Sequence, residues 1–347
     1  MANLQIFKKI DLLIIANSIG LGGAEKFSEQ LYLSLLKDKK LSVKMLTLHS
    51  DLRNSYLPLP FTKIYVFIKF VFLLIKISFL NVKIINSHMS QSNILARAIK
   101  LIRKDIKIIH TIHSNFELAS LNKNSILTEN LVDKYIFVSE LAFNRQKDFF
   151  DMKKGEVIPN AIQTNKWYFS KTDRKNTRSR LVSDKIIVFL AVGRLVETKG
   201  ILELVEYWSF MSKKCELWIL GDGPLRVKIE KSITSNNLSL RVKLINSTTD
   251  IRSHYCGADY LISNSCDESF GLVFYEALLC GLPIIAREIP ATVKLNPFGI
   301  KLFNKLDELK NLSHLDKQRV SKEKITAIKS TISFKNYLPQ FYSILKK

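Results

Sequence analysis

Glu268 and Glu276 stand on either side of a Phe270-Gly271 step, after an apolar run at 258–263 and before Cys280-Gly281-Leu282-Pro283 and a second apolar run at 284–286. That order predicts strand, loop, helix, turn, strand: a βαβ unit whose loop lies at the carboxyl end of a strand, where α/β sheets take ligands. Gly271 lets the backbone come close to a ligand, and the amides of Gly271, Leu272 and Val273 open the helix, where anions bind. Glu276 falls within about two turns of that helix start and can face the same pocket. An isolated pair of glutamates is more often a solvated helix face. Flanking a helix start, the two carboxylates could instead grip both ends of a ligand whose middle is a phosphate.

Arg194 and Lys199 follow the apolar run 186–192, in Gly193-Arg194-Leu195 and Thr198-Lys199-Gly200. A planar fork and a compact point charge in a glycine-flanked strand-to-helix loop suit a diphosphate, and would stabilise charge growing on a leaving group. Alone, two such residues in a basic protein are more often solvated cations. Gly20, Gly22 and Gly23 follow the run 12–16 but lack the third glycine of a dinucleotide fingerprint, so a tight turn competes with a ligand loop. His113 ends His110-Thr111-Ile112-His113 just beyond a predicted strand. His110, at the strand end, is expected to be structural. His88, in Asn86-Ser87-His88-Met89, also follows a strand and stands between contact with an acceptor and structural hydrogen bonding. No D-x-D occurs, so the acidic pair that holds a divalent ion under a diphosphate is missing; no metal and no cofactor are expected, with cations and helix-start amides neutralising the phosphates instead.

The elements that must position these residues form two alternating series. Strands are predicted at 12–16, 41–48, 82–86, 106–109, 135–138 and 155–158, with helices at 24–37 and 92–103. A second series has strands at 186–192, 216–220, 241–245, 260–263 and 284–286. Such alternation gives parallel sheets covered by helices on both faces. The polar stretch 165–180 reads as the interdomain linker, and residues 333–347, with Tyr337, Phe341 and Leu345 at helical spacing, as a terminal helix. The expected domains are 1–168, 169–332 and the helix 333–347.

In this order the motifs resemble the retaining glycosyltransferases of family 4, whose E-x7-E signature matches Glu268 and Glu276. The resemblance spans nearly the whole chain, through Gly22-Gly23-Ala24-Glu25, His110-Thr111-Ile112-His113-Ser114, Tyr135-Ile136-Phe137-Val138-Ser139-Glu140, Val157-Ile158-Pro159-Asn160, Gly193-Arg194 and Leu220-Gly221-Asp222-Gly223-Pro224. It implies an α/β chain of GT-B fold: two Rossmann-like domains facing across a cleft, with a C-terminal helix crossing back to the first. It implies that Arg194 and Lys199 hold the donor diphosphate, that Glu276 binds the ribose and Glu268 the transferred sugar, and that His113 contacts that sugar near the reacting centre. The loop of Gly22 and Gly23 would face the diphosphate from the other side of the cleft. Ser269 stands where glycine is usual, Asn160-Ala161-Ile162-Gln163 replaces Asn-Gly with a following aspartate, and the usual glycines at 245–247 and 287–298 are absent. No charged group is lost.

Composition narrows the setting. The chain has 347 residues, is 47% hydrophobic and carries 53 Lys and Arg against 31 Asp and Glu, a formal charge of +22. Such a field attracts nucleic acid, anionic lipid or phosphorylated ligands. No helix-turn-helix, RNP-like or zinc-ligand pattern supports nucleic acid. The four cysteines have no C-x-x-C spacing and are expected as reduced, buried thiols. No signal-peptide pattern opens the chain. Residues 61–80 are apolar but interrupted by Lys63, Lys69 and Lys76, each costing roughly 2.5–3.5 kcal/mol at a bilayer centre, so a helix packed on the first domain or lying at a membrane surface is expected rather than a span. The expected partners are a nucleotide-sugar, a lipid-linked or lipopolysaccharide glycan acceptor and an anionic membrane, with the protein cytoplasmic and peripheral on the inner face of the cytoplasmic membrane. Two other readings compete: a non-catalytic GT-B partner subunit, which the retained charged residues oppose, and a basic nucleic-acid binder, which leaves the paired carboxylates unexplained.

Overall fold

The computed structural model describes residues 9–18, 20, 22–48, 59–115, 117–118, 128–181, 186–314 and 318–346. The start of the chain, residues 1–8, and the side chain of Lys63 lie outside them. The chain divides into two units, one made of Met1–Ile162 with Phe334–Lys347 and the other of Gln163–Ser333.

The first unit is a parallel sheet of β1 (Ile10–Ala16), β2 (Val43–Thr47), β3 (Val82–His88), β4 (Lys107–Ile112), β5 (Lys134–Phe137) and β6 (Gly155–Val157), in the order β2-β1-β3-β4-β5-β6. Successive residues of β1 feed opposite cores. Leu12 and Ile14 pack with Phe27, Leu31 and Leu35 of the helix Gly23–Asp38, while Leu13 and Ile15 pack with Leu73, Ile77, Leu95 and Ile99 on the other face. A strand covered on both faces must be apolar where it is covered, and β1 is apolar from Leu12 to Ala16, its one charge, Asp11, standing half-buried near the amino end.

The helix Phe334–Lys346 completes the first of these cores, as the family resemblance implied. Phe334, Tyr337, Phe341 and Ile344 recur at helical spacing and are buried against Phe27 and its neighbours. Its last carbonyls, which have no partner within a helix, accept from Lys107 Nζ: Ile344 O at 2.9 Å and Leu345 O at 3.3 Å.

The second unit contains β7 (Ile187–Val192), β8 (Cys215–Leu220), β9 (Val242–Ile245), β10 (Tyr260–Ser263), β11 (Ile284–Arg287) and β12 (Lys301–Phe303), all parallel and ordered β12-β11-β10-β7-β8-β9. The short edge strand β12 was not anticipated. Counted within the unit, this is the doubly wound order whose direction reverses between its first and fourth strands, β7 and β10.

The expected linker at 165–180 is mostly structured. Residues Lys171–Leu181 form a helix whose Thr177 and Arg178 are buried. Arg174 and Arg178 reach the end of the helix Ile251–Gly257, bonding to Gly257 O and, for Arg174, to Cys256 O and Ala258 O; both also pair with Asp259, which is 5% exposed. The charge that suggests a solvated linker is neutralised by partners distant in sequence.

Residues Leu59–Ser78 form a helix, and among the described residues no helix is long and apolar enough to cross a membrane. Leu73 and Ile77 face the core, whereas Phe67, Ile68, Phe72, Ile75 and the adjoining Phe79 are 54% to 74% exposed. Leu101 and Ile102, on the helix Ser90–Ile102 that touches it, are exposed as well.

Phe341→Ala should cost about 3–5 kcal/mol through the cavity it leaves. All three tryptophans, Trp167, Trp208 and Trp218, lie in the second unit. The variant's loss is therefore expected in urea unfolding followed by circular dichroism, with a much smaller change in the tryptophan fluorescence transition. Equal shifts in both signals would show that the helix does not serve the first unit selectively.

Candidate functional site

In the second unit the predicted residues gather where the strand order reverses. The loop after β7 runs through Gly193 and Arg194 into a tight turn at Glu197–Lys199, then through Gly200 into the helix Ile201–Tyr207. Gly200 has φ 59°, and a Cβ there would lie 2.4 Å from Asn264 O, so both its conformation and the close approach of the β10 loop require glycine. Asn264 secures that approach, donating from Nδ2 to Gly200 O at 2.9 Å. Cys266 N donates to Thr198 O at 2.9 Å, tying the two loops together.

Across this junction Lys199 Nζ donates to Glu268 Oε1 at 2.5 Å, and Ser265 Oγ donates to the same oxygen at 3.1 Å. The pair is largely enclosed, with side-chain exposures of 23% for Lys199 and 12% for Glu268. Losing either partner would strand a charge in a poorly solvated place. Arg194 is exposed and, among the described residues, has no side-chain partner. The two cations expected to act alike are therefore unlike: one is held by a carboxylate, the other is free. Gly271, at φ 77°, caps the helix Leu272–Leu279, with the Phe274 ring where a Cβ would go. Five residues into the helix, Glu276 is 2% exposed and accepts from Tyr255 OH at 3.0 Å through Oε2. Trp167 packs edge-on against Tyr255, at 5.8 Å between centroids. Cys266, expected buried, is exposed in this loop, while Cys215, Cys256 and Cys280 are buried.

In the first unit the carboxyl ends of β3 and β4 carry a buried polar network. Residues 86 and 88 share one face of β3 and pair with Ile109 and Thr111 of β4; Ser87 pairs with His110. Asn86 Nδ2 donates to Ile109 O at 3.2 Å and to Thr111 Oγ1 at 2.9 Å. His88 Nε2 meets Asn86 Oδ1 at 2.9 Å, and His88 Nδ1 meets His113 Nε2 at 2.9 Å. His88 has no exposed surface and both its nitrogens are engaged, the arrangement of the structural hydrogen bonding that was one of its two expected roles. Its inward position follows from strand parity, because it shares the face of Asn86. The two rings lie against Phe27, at 6.2 Å for His88 and 5.4 Å for His113.

His110 takes the structural place expected of it, fully buried, with Nδ1 3.0 Å from Ser87 Oγ and Nε2 3.3 Å from Glu117 Oε1. Glu117 Oε2 accepts the His113 backbone N–H at 3.2 Å and so holds the loop that carries His113. Burial pushes the Glu117 carboxyl up, but the hydrogen bond from His110 and the neighbouring histidines outweigh it and hold the acid below its ordinary value. Burial lowers His113 to about 4 and His88 well below its usual value, so both rings are neutral near pH 7. Met89, between His88 and the helix Ser90–Ile102, has φ 72° and ψ 161°, a region costing a non-glycine residue about 1–3 kcal/mol.

Gly22 and Gly23 open the helix Gly23–Asp38, as cap and first residue. A Cβ on Gly22 would collide with the Glu25 carboxylate, which folds back over the helix start and accepts from Ser18 Oγ at 3.3 Å. An acidic group of the protein itself thus sits where an anion was expected. Glu117, Tyr255 and Asn264 were missed by sequence reasoning. Their only local signal is a polar residue beside an apolar strand or motif, and their partners are remote in sequence.

Residues 22–166 match the family model described as Glycosyltransferase Family 4, and residues 173–296 that described as Glycosyl transferases group 1. The chain is 24% identical over 274 residues to the phosphatidylinositol N-acetylglucosaminyltransferase GPI3 subunit of Saccharomyces cerevisiae, covering 75% of this chain and 60% of that one. It is 30% identical over 176 residues to the alpha-monoglucosyldiacylglycerol synthase of Acholeplasma laidlawii, covering 46% and 43%. It thus spans less than two thirds of these relatives. Its fold is similar to the crystal structure of Anabaena HepE in complex with UDP and glucose, with a TM-score of 0.78 at 17% identity over 97% of this chain and 100% of that one.

The buried histidines make a stability prediction. Between about pH 6.5 and 4 an unfolded histidine binds a proton that folded His113 refuses, so stability is full above that window and falls as pH drops through it. His113 alone should contribute a loss of roughly 2 kcal/mol by pH 5. Urea midpoints at pH 7 and pH 5 should show the fall, and His113→Gln should reduce it. An equal fall in the variant would show that His113 titrates normally.

Proposed function

We propose that this chain, which belongs to the glycosyltransferases of group 1 and family 4, moves a sugar from a UDP-sugar to a lipid-linked or glycan acceptor with retention of anomeric configuration. The observation that carries the reading is the Lys199–Glu268 pair at the reversal point of the second sheet, beside the helix start at Gly271. Lys199 spends one ammonium proton on Glu268 and keeps two for phosphate oxygens, while Arg194 offers its whole fork. Together with the amides of Gly271, Leu272 and Val273 they stabilise the diphosphate as it leaves, and no metal ion is required.

Glu268 and Glu276 are then the two ends of the E-x7-E signature. Glu276, oriented by Tyr255, takes the ribose hydroxyls, and Glu268 a hydroxyl of the transferred sugar. His113 accepts a hydrogen bond from a sugar hydroxyl through Nδ1. The leaving phosphate removes the proton from the acceptor hydroxyl on the face it departs from, so no protein nucleophile takes part.

The choice of UDP is supported by HepE, whose structure holds UDP and glucose, and that of a lipid acceptor by relatives named for phosphatidylinositol and diacylglycerol. The exposed apolar stripe from Phe67 to Phe79, flanked by Lys76 in a chain of charge +22, supports docking on an anionic membrane. A cytoplasmic membrane face, during assembly of lipopolysaccharide, O-antigen or another surface polysaccharide, suits these features.

Transfer from UDP-glucose or UDP-N-acetylglucosamine, assayed in EDTA, should proceed in the wild type. It should fall about 10²–10³-fold in kcat for Lys199→Ala and for Arg194→Ala, with smaller changes in donor KM. Dependence on added magnesium or manganese would overturn metal independence, and near-wild-type turnover in either variant would return that residue to the solvated surface.

Vesicles with anionic lipid should sediment the protein at low salt and release it at high salt, where attraction between exposed charges is screened. Phe72→Ser with Ile75→Ser should weaken this binding. Equal binding to neutral and anionic vesicles, or binding unaffected by the double substitution, would remove the membrane from the reading.

A further inference from the structure

We propose that Asn86 and His88 are positioning residues that fix the tautomer of His113, so that His113 Nδ1 meets its ligand as a hydrogen-bond acceptor and never as a donor. The proposal deepens, and for its role in catalysis rests on, the assignment of His113 to a sugar hydroxyl.

The polarity of the chain is set by a group that cannot change. Ile109 O accepts and never donates, and it lies 3.2 Å from the Asn86 amide nitrogen. With the amide flipped, Oδ1 would face that carbonyl lone pair to lone pair. Nδ2 therefore stays toward β4, where it also donates to Thr111 Oγ1, and Oδ1 stays toward His88. An acceptor at 2.9 Å from His88 Nε2 requires the proton on that nitrogen. Neutral imidazole carries one ring proton, so His88 Nδ1 bears a lone pair. His113 Nε2, at 2.9 Å, must donate to it, and a neutral His113 is left with its lone pair on Nδ1. That atom is buried and, among the described residues, has no hydrogen-bond partner. The chain ends in an unanswered acceptor.

Protonation would break this logic, and the surroundings oppose it. Burial lowers both rings, His113 to about 4. His110 lowers each further, His113 also lowers His88, and Glu117 alone raises His113 without reversing the outcome. A ring of such low basicity holds a hydroxyl by accepting its hydrogen bond and does not take the proton away. It has nothing to offer a phosphate oxygen. The network therefore discriminates at one atom, in favour of a neutral hydroxyl and against an anionic oxygen.

The test is a two-bond proton–nitrogen correlation spectrum of the full chain with 15N-labelled histidine at pH 7, without nucleotide or sugar. His88→Gln and His113→Gln identify two of the six histidine patterns by their loss. Both residues should show a protonated Nε2 and an unprotonated Nδ1. His113 found protonated at Nδ1, or at both nitrogens, overturns the proposal, and so, even if every variant misfolds, do fewer than two of the six patterns with a protonated Nε2 and an unprotonated Nδ1. In Asn86→Ala the His113 pattern should move toward a mixture of tautomers, and transfer should fall by roughly an order of magnitude in kcat with little change in KM, the scale on which orienting hydrogen bonds to functional histidines act. An unchanged His113 pattern in a folded Asn86→Ala protein also overturns it. Because the spectrum needs no substrate, a failed transfer assay with the expected tautomers would reject the sugar-transfer reading and leave the positioning intact.

Discussion

A parallel strand covered on both faces can carry polar side chains only at its ends, and whatever it carries there must find partners inside the protein. Both sheets obey this constraint. β3 exposes Lys83 near its amino end, is apolar at Ile84 and Ile85, and then turns to Asn86, Ser87 and His88, all three fully buried. Water cannot satisfy them, so they bond to one another and to β4, and their order follows from which backbone atoms lie opposite. In the second unit the amino end of β10 shows the same rule with charges. Asp259 is clamped by Arg174 and Arg178 and by the Val188 amide at 2.9 Å. Removing one partner there would leave a buried charge unpaired, typically worse than never having the pair. That end ties the helix Lys171–Leu181 to the sheet; the opposite end, with Lys199 and Glu268, keeps its charges partly exposed.

Much of this was legible in the chain because its period changes so cleanly between apolar runs and amphipathic helices. Eleven strands were placed within a few residues, since the central ones leave apolar runs such as 12–16 and 187–192 and the others at least a short apolar stretch between helices. β12 escaped because three residues at a sheet edge, Lys301–Phe303, carry no such run. The arginine-rich helix Lys171–Leu181 escaped because composition registers charge but not the carbonyls and the aspartate that neutralise it, some eighty residues further on. The site residues were visible by type and spacing, their relations less so. Nothing local indicates that Lys199 grips Glu268 while Arg194 stays free. Strand parity did hold a clue to His88, since Asn86 and His88, like Thr111 and His113, are separated by one residue and must share a face.

Strain and charge cluster around the same loops. Met89 holds a backbone conformation suited to glycine directly after His88, and Gly271 holds a left-handed one directly before the helix that carries Glu276. At Met89 a strand end turns directly into a helix, and at Gly271 the loop after β10 does so. The surrounding packing enforces the turn: Phe274 lies beneath Gly271, and Phe27 supports the paired rings of His88 and His113.

Phe27 is itself held by residues that come very late in the chain. Phe334 stacks on it at 5.9 Å and Tyr337 meets it edge-on at 5.3 Å, both from the helix that follows the entire second unit in sequence. A ribosome delivers the chain from its amino end, so the first sheet emerges long before the side chains that seal this face. Until residues 334–346 are out of the exit tunnel, Phe27, Leu31 and Leu35 lack part of their cover, and the histidine pair lacks its backing. The first unit to be synthesised is the last to be finished, and a nascent chain cut short within the second unit would carry every histidine of the network on a support that has not yet arrived.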